Sequence, residues 1–124
     1  MNSFGLLESL FSFSSIEQYH TQLKKGSITC VQIVQHYLSS IEQSKHLNCY
    51  LEVFAEEALE KAAELDGKTS YGKLHGIVIG IKDNICFKGH KASASSKILQ
   101  DYTSLYSATA VERLLQEGAI IIGR

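Results

Sequence analysis

The chain has no proline, only three cysteines, no surplus of charge of either sign and no apolar run long enough to cross a bilayer. Twelve Lys+Arg balance thirteen Asp+Glu for a net charge of −1, which leaves no basic footprint for nucleic acid or an anionic membrane surface. If RNA matters to this protein, another chain holds most of it. Cys30, Cys49 and Cys86 are far apart and form no CxxC pair, so neither a zinc site nor a disulfide framework is indicated. They fit a reducing cytoplasm, with the thiols as small buried apolar groups. A membrane-spanning helix needs about 20 consecutive apolar residues, and no run approaches that length. The opening MNSFGLLESLFSF is apolar, but it lacks a basic leading region and carries Glu8, unlike a secretory leader. The missing proline has no physical explanation in the sequence.

What is present is an ordinary globular balance, 44% hydrophobic and 20% charged in 124 residues, enough for one small core. The first half is helical in pattern. SSIEQYHTQLKKG offers Ser14 or Ser15 as a cap, Ile16, Tyr19 and Leu23 on one face, and Gly26 as a stop. TCVQIVQHYLSSIEQS opens with Thr29 and Gln32, a capping box, and carries Ile33, Val34, Tyr37, Leu38 and Ile41 at helical period. CYLEVF is β-prone and short, a strand or an extended connection. AEEALEKAAELDGK predicts a third helix with Ala55, Ala58, Leu59, Ala62 and Leu65 inward, a Glu57–Lys61 pair on its surface and Gly67 at its close.

The pattern then changes. GIVIGIK and AIIIGR are continuous apolar runs of the kind covered on both faces of a sheet. Between them SATAVERLLQEG reads as a helix capped by Ser107 or Thr109, with Val111, Leu114 and Leu115 inward and Gly118 just past its end. Strand, crossover and strand imply a parallel, right-handed unit. The expected fold class is therefore α/β: a helical preamble over 1–66, then over 67–124 the first strand-helix-strand part of a mixed or parallel sheet. Two strands and one crossover do not make a covered sheet. The expectation is that 1–124 is the N-terminal part of a single domain, whose last strand leaves an unpaired edge.

Several motifs fail on inspection. GKT at Gly67 would end a phosphate-binding loop, but that loop requires a preceding strand and a further glycine where Ala62 stands. His20, His36, His46, His75 and His90 show no metal-ligand spacing. The serine-rich GHKASASSK contains neither a GxSxG elbow nor an SxxK pair, since Ala94 stands three before Lys97. It reads as a loop. Lys82 is different, because it ends the apolar run GIVIGI and is followed at once by Asp83 and Asn84. One reading is a lysine reaching into water from a strand end, paired with Asp83. The other is a proton-transfer residue at the C-terminal end of a parallel strand, where α/β sheets place their sites, partly desolvated by the strand before it.

GKLHGIVIGIKDNICFKGHKASASSKIL, followed by YSATAVERLLQEGAIIIGR, resembles the opening of the amidase signature family. Within it the chain is most similar to the A subunits of glutamyl-tRNA(Gln) amidotransferases, and the likeness extends from about Ser15 to Arg124. The resemblance implies a triad of lysine, a serine in a cis peptide and a nucleophilic serine. The family's lysine falls on Lys82, whereas both serines belong to a Gly/Ser-rich stretch beyond Arg124. Ser93, Ser95 and Ser96 are not substitutes, and Asp83 and Asn84 are expected to fix the turn. Val78 stands where the family commonly has proline, Ser93 lies where threonine is favoured, and Arg124 replaces a frequent lysine.

The resemblance further implies glutamine as amide donor and a heterotrimer in which a partner subunit uses ATP and Mg²⁺ and holds most of the Glu-tRNA(Gln). No cofactor or metal is expected on this chain, no membrane is involved, and the location is cytoplasmic. These 124 residues alone are expected to be inactive. The alternatives are another hydrolase of the family acting on a small amide, or a non-catalytic truncated chain that acts only as an interaction module.

Overall fold

The computed structural model describes residues 11–124, so most of the apolar opening lies outside the described residues. Helices α1 (Ile16–Lys24), α2 (Cys30–Gln43) and α3 (Ala55–Asp66) precede strand β1 (Val78–Gly80), helix α4 (Thr109–Gln116) and strand β2 (Ile120–Gly123), with a 3₁₀ turn at Lys45–Leu47. The architecture is α/β, helices with a small sheet. No helix among the described residues is long and apolar enough to cross a membrane.

The helix ends follow from local chemistry. Ser15 caps α1 by accepting from the Gln18 amide at 3.1 Å. The helix stops where Gly26 takes a φ of +69°, letting its amide reach Leu23 O at 3.0 Å and the Ser27 amide reach Gln22 O at 3.1 Å, the paired closure that a left-handed residue permits. Thr29 and Gln32 form the reciprocal box expected of them. A further cap comes from a distance: Asp66, ending α3, accepts from the Cys30 amide at 2.7 Å and the Val31 amide at 3.1 Å. A carboxylate there satisfies two orphan donors and meets the positive end of the helix dipole.

α4 departs from expectation. Its cap position is Ala108, which makes no side-chain cap bond, because Ser107 is turned to accept from the Lys88 amide at 3.0 Å. The surface pair on α3 is also different. Lys61 pairs with Glu64 at 2.9 Å and Glu57 with His90 at 3.0 Å. Lys68 and Lys61 together hold the Glu64 carboxyl down to about 2.

β1 and β2 are parallel, with Val78 opposite Ile120, Ile79 opposite Ile121 and Gly80 opposite Gly123. β2 is buried throughout, as its apolar run predicts, whereas Val78 and Ile79 are only half-buried and Gly80 is exposed. The expected bare edge of β2 is absent. CYLEVF runs antiparallel along it, with the Phe54 amide bonding Ile122 O at 2.8 Å, the Arg124 amide bonding Glu52 O at 2.9 Å and the Leu51 amide bonding Arg124 O at 2.7 Å. Gly123 makes this approach possible, since a Cβ there would lie 2.5 Å from Glu52 O. β2 is thus the middle of a mixed ladder, and among the described residues its outer edges belong to β1 and to this antiparallel segment.

One core joins helices and strands: Tyr19, Leu23, Ile33, Val34, Ala58, Ala62, Leu65, Ile120 and Ile122 pack together. Cys30 lies in it, and burial, then the Asp66 charge, pushes its thiol up to about 12. Cys49 is exposed and Cys86 half-buried, so only one of the three thiols is the buried apolar group expected. Tyr19 crosses the core to donate to Gly76 O at 2.9 Å. Gly76 has a φ of +73°, and a Cβ on it would stand 2.7 Å from Cys30 Sγ and 2.9 Å from Tyr19 Oη. Gly76→Ala should therefore cost about 3 kcal/mol, a left-handed penalty of about 1–2 added to overpacking of about 1–3, read as a lower urea midpoint.

His75 next door is 2% exposed, stacked on Tyr71 with centroids 3.9 Å apart, and His20 Nε2 lies 2.9 Å from its carbonyl. Burial first, then the His20 charge, holds the His75 imidazole below its usual range, with Asp66 opposing. The unfolded chain then takes up a proton near pH 6.5 that the folded chain resists. That contribution to stability is complete above about pH 6.5 and is lost as pH falls below it. The urea midpoint should drop between pH 7 and pH 5, and drop less in His75→Phe.

Candidate active site

The residues singled out in the sequence, Lys82 and Asp83, lie just past the C-terminal end of β1, beside the end of its parallel neighbour β2. Beyond β1, the Ile81 amide bonds Gly123 O at 3.0 Å, and the Ile85 amide closes a turn onto Lys82 O at 2.9 Å. Beyond β2 stands Arg124. Lys82 is exposed to solvent, so the expectation that the preceding strand buries it fails for these residues. β1 is only three residues long, and its register with β2 slips between Ile79 and Gly80, where β2 carries the extra residue Ile122.

The buried group is Asp83, 7% exposed. It accepts from the Ser93 amide at 3.0 Å and from the Ser93 hydroxyl, and Arg124 Nη1 donates to its Oδ1. Arg124 Nε donates in turn to Glu52 Oε2 at 3.1 Å. Burial alone pushes the Asp83 carboxyl up. The Ser93 hydroxyl and amide and the Arg124 guanidinium outweigh it, and the net direction is down. The expected Lys82–Asp83 pair is not formed; Asp83 belongs to Arg124.

The loop that delivers Ser93 is bent to do so. Ala94 and Ser95 have φ of 47° and 60°, and the Ser96 amide bonds Ser93 O at 2.8 Å. This is a tight turn with both central residues left-handed, a shape that favours glycine or asparagine. Its penalty, on the order of 1 kcal/mol for each such residue, is offset by the Asp83 bonds and by the Ala94 amide on Asp83 O at 3.2 Å. Asp83 thus fixes the turn at 93–96, not the one directly after Lys82 that it was expected to hold. Asn84 is exposed, and no hydrogen bond from its side chain is found among the described residues.

The stretch GHKASASSK is a loop, as read from the sequence, but its Ser93 has a task the sequence reading missed. So does Arg124, which that reading set aside as a departure from the family pattern. A conspicuous signal was available for neither. A carboxylate directly after an apolar run does call for a partner, but which residue answers depends on contacts 10 and 41 residues away. No group of three His, Cys, Asp or Glu is placed to hold a metal among the described residues.

A model of the Amidase family matches residues 32–124. The chain belongs to the amidase family. Among relatives, it is 44% identical over 116 residues to the A subunit of glutamyl-tRNA(Gln) amidotransferase from Chlorobaculum parvum, across 90% of this chain and 24% of that protein. The counterpart from Pelodictyon phaeoclathratiforme is 43% identical with the same coverage. This amidase chain therefore spans about a quarter of the length of the curated relatives it matches. Among solved structures, peptide amidase from Stenotrophomonas maltophilia superposes with a TM-score of 0.83 at 28% identity, covering 92% of this chain and 25% of that one. An amidase family protein from Bacillus anthracis, at a TM-score of 0.85 and 24% identity, shares the fold.

Removing the Asp83 charge leaves Arg124 half-paired in a buried place, an error that typically costs about 3–5 kcal/mol. Asp83→Asn should lower stability by about 3 kcal/mol in urea unfolding, Glu52 retaining part of the Arg124 contact.

Proposed function

We propose that the chain is the N-terminal part of the glutaminase component, the A subunit, of a glutamyl-tRNA(Gln) amidotransferase, with Lys82 as the base of its glutaminase site. The observation that carries this reading is the agreement between the likeness to such A subunits, which runs through nearly the whole chain, and the position of Lys82. It stands at a C-terminal strand end, on a loop pinned by a buried carboxylate, where α/β folds place their chemistry.

A serine hydroxyl is a weak nucleophile and must give up its proton to a neighbouring base. In the proposed enzyme Lys82 takes a proton from a bridging serine, which takes one from the nucleophilic serine. The nucleophile's oxygen bonds the side-chain amide carbon of glutamine, and the carbon–nitrogen bond breaks as the proton passes to the leaving nitrogen. Ammonia departs, and water then releases glutamate from the acyl-enzyme. This is a serine–lysine version of triad logic. In this reading both serines come from sequence that these 124 residues do not include. Ammonia passes to a partner subunit that uses ATP and Mg²⁺ to amidate Glu-tRNA(Gln), a third subunit bracing the two. The near-neutral charge of this chain suits a part that handles glutamine more than RNA. The assembly works in the cytoplasm.

The test is a chimera in which this chain replaces the matching quarter of the Chlorobaculum parvum protein, co-produced with that organism's partner subunits. It should hydrolyse glutamine, and Lys82→Ala should reduce kcat by at least about 10³-fold, as the loss of a triad member does. The 124 residues alone should release no ammonia. An assembled chimera whose activity survives Lys82→Ala, or turnover by the short chain that Lys82→Ala abolishes, would defeat the reading.

A further inference from the structure

Among the described residues, the last rung of the parallel pair joins the Ile81 amide to Gly123 O at 3.0 Å, one residue before Lys82. It lies just past the register slip, where the two facing residues, Gly80 and Gly123, are both glycines. A glycine in a strand has no side chain to pack and often marks the close approach of another group. Here one group approaches both. A Cβ on Gly123 would stand 2.9 Å from Tyr50 Cδ1 and 3.2 Å from its Cε1. A Cβ on Gly80 would stand 3.4 Å from the same Cε1 and 3.1 Å from the phenol oxygen. The ring therefore runs from β2 to β1 along its own length, its base at one glycine and its hydroxyl at the other.

Tyr50 is also held from its own side. The amide of the next residue, Leu51, bonds Arg124 O at 2.7 Å, and the half-buried ring packs against the core. Its hydroxyl makes no hydrogen bond among the described residues, so the contact with the two glycines is one of packing. An aromatic ring laid over strand glycines supplies the packing that they lack.

We propose that Tyr50 is a positioning residue: its ring, laid across Gly123 and Gly80, braces the last rung of the ladder and so fixes the backbone from which Lys82 leaves the sheet. The brace itself stands on packing. Its catalytic consequence rests on the reading of Lys82 as the base of the glutaminase site. A main chain free to shift by about 1 Å there misplaces the side chain it carries, an error that can cost about 10²-fold in rate.

The experiment has two arms. In the 124-residue chain, amide hydrogen exchange followed by NMR compares Ile81 with Ile120, whose amide bonds Ile77 O at 2.8 Å in the same ladder. In the chimera, glutamine hydrolysis gives kcat and KM. Tyr50→Leu should speed exchange at Ile81 about tenfold or more and leave Ile120 within about twofold, the mark of a local opening. It should lower kcat about tenfold or more, while KM for glutamine moves less than about threefold. Tyr50→Phe keeps the ring and should leave both arms near wild type. Equal speeding of both amides, which a merely structural loss would give, overturns the brace, and so does an unchanged Ile81 rate. An unchanged kcat beside a faster Ile81 overturns the positioning role. So does a Tyr50→Phe as damaging as Tyr50→Leu, which would move the effect to the hydroxyl. If Tyr50→Leu does not fold, Gly80→Ala, whose Cβ crowds the ring, decides by the same readouts. Failure of the functional reading appears elsewhere, as a chimera that hydrolyses no glutamine or keeps its activity in Lys82→Ala, and leaves the exchange pattern as it was.

Discussion

A carboxylate taken out of water must be paired and hydrogen-bonded or it destabilises the fold that buries it. Asp83 meets that requirement only by drawing together pieces that the sequence keeps apart. Ser93 comes from a loop, Arg124 from beyond β2, and Glu52, through Arg124, from the extended segment after the 3₁₀ turn. The strand ends, the serine-rich turn and the antiparallel segment are thereby referred to a single point, one residue from Lys82. The position of that lysine's backbone is a result of this arrangement more than of β1, which is short and half-exposed.

The helical half is held by a similar principle at lower cost. Asp66 closes the start of α2 from the end of α3, so one helix caps another instead of leaving its first amides to water. Because Cys30 lies beneath that carboxylate, the thiol is held protonated by burial and by the nearby charge. The sulfur serves as packing against Gly76 and Tyr19 and is kept out of nucleophilic chemistry. The same contacts explain why Gly76, at the approach to β1, has no room for a side chain.

What the sequence revealed sorts by range. Caps and stops were legible because they are built from residues three or four apart: Ser15 with Gln18, Thr29 with Gln32, the turns at Gly26 and Gly118. β2 was legible because its apolar run is long enough to be buried on both faces. The misses came where local rules leave near-equal options or where the partner is remote. Lys61 sits one turn from acids on either side, and the choice of Glu64 over Glu57 follows from His90 claiming Glu57 across a gap of 33 residues. Ser107 was a sound cap by type, yet a loop amide reached it first. At the candidate site, Lys82 was singled out by its place at a strand end and by family likeness. Its exposure, and the Arg124 claim on Asp83, depend on a ladder that no local pattern encodes.

The antiparallel segment beside β2 has a consequence in time as well as in space. Glu52 and Arg124 are 72 residues apart, and the bonds around Val53 have no partner until β2 exists. Closures of that span are slow, because chain entropy is lost before the contact is made. On a ribosome adding about 5–20 residues per second, the helices can cap and pack for several seconds while CYLEVF waits as an unmatched β-prone stretch. Asp83 shares that delay, remaining solvated until Arg124 arrives, so its burial and the setting of Lys82 fall among the last events of folding for this part of the chain.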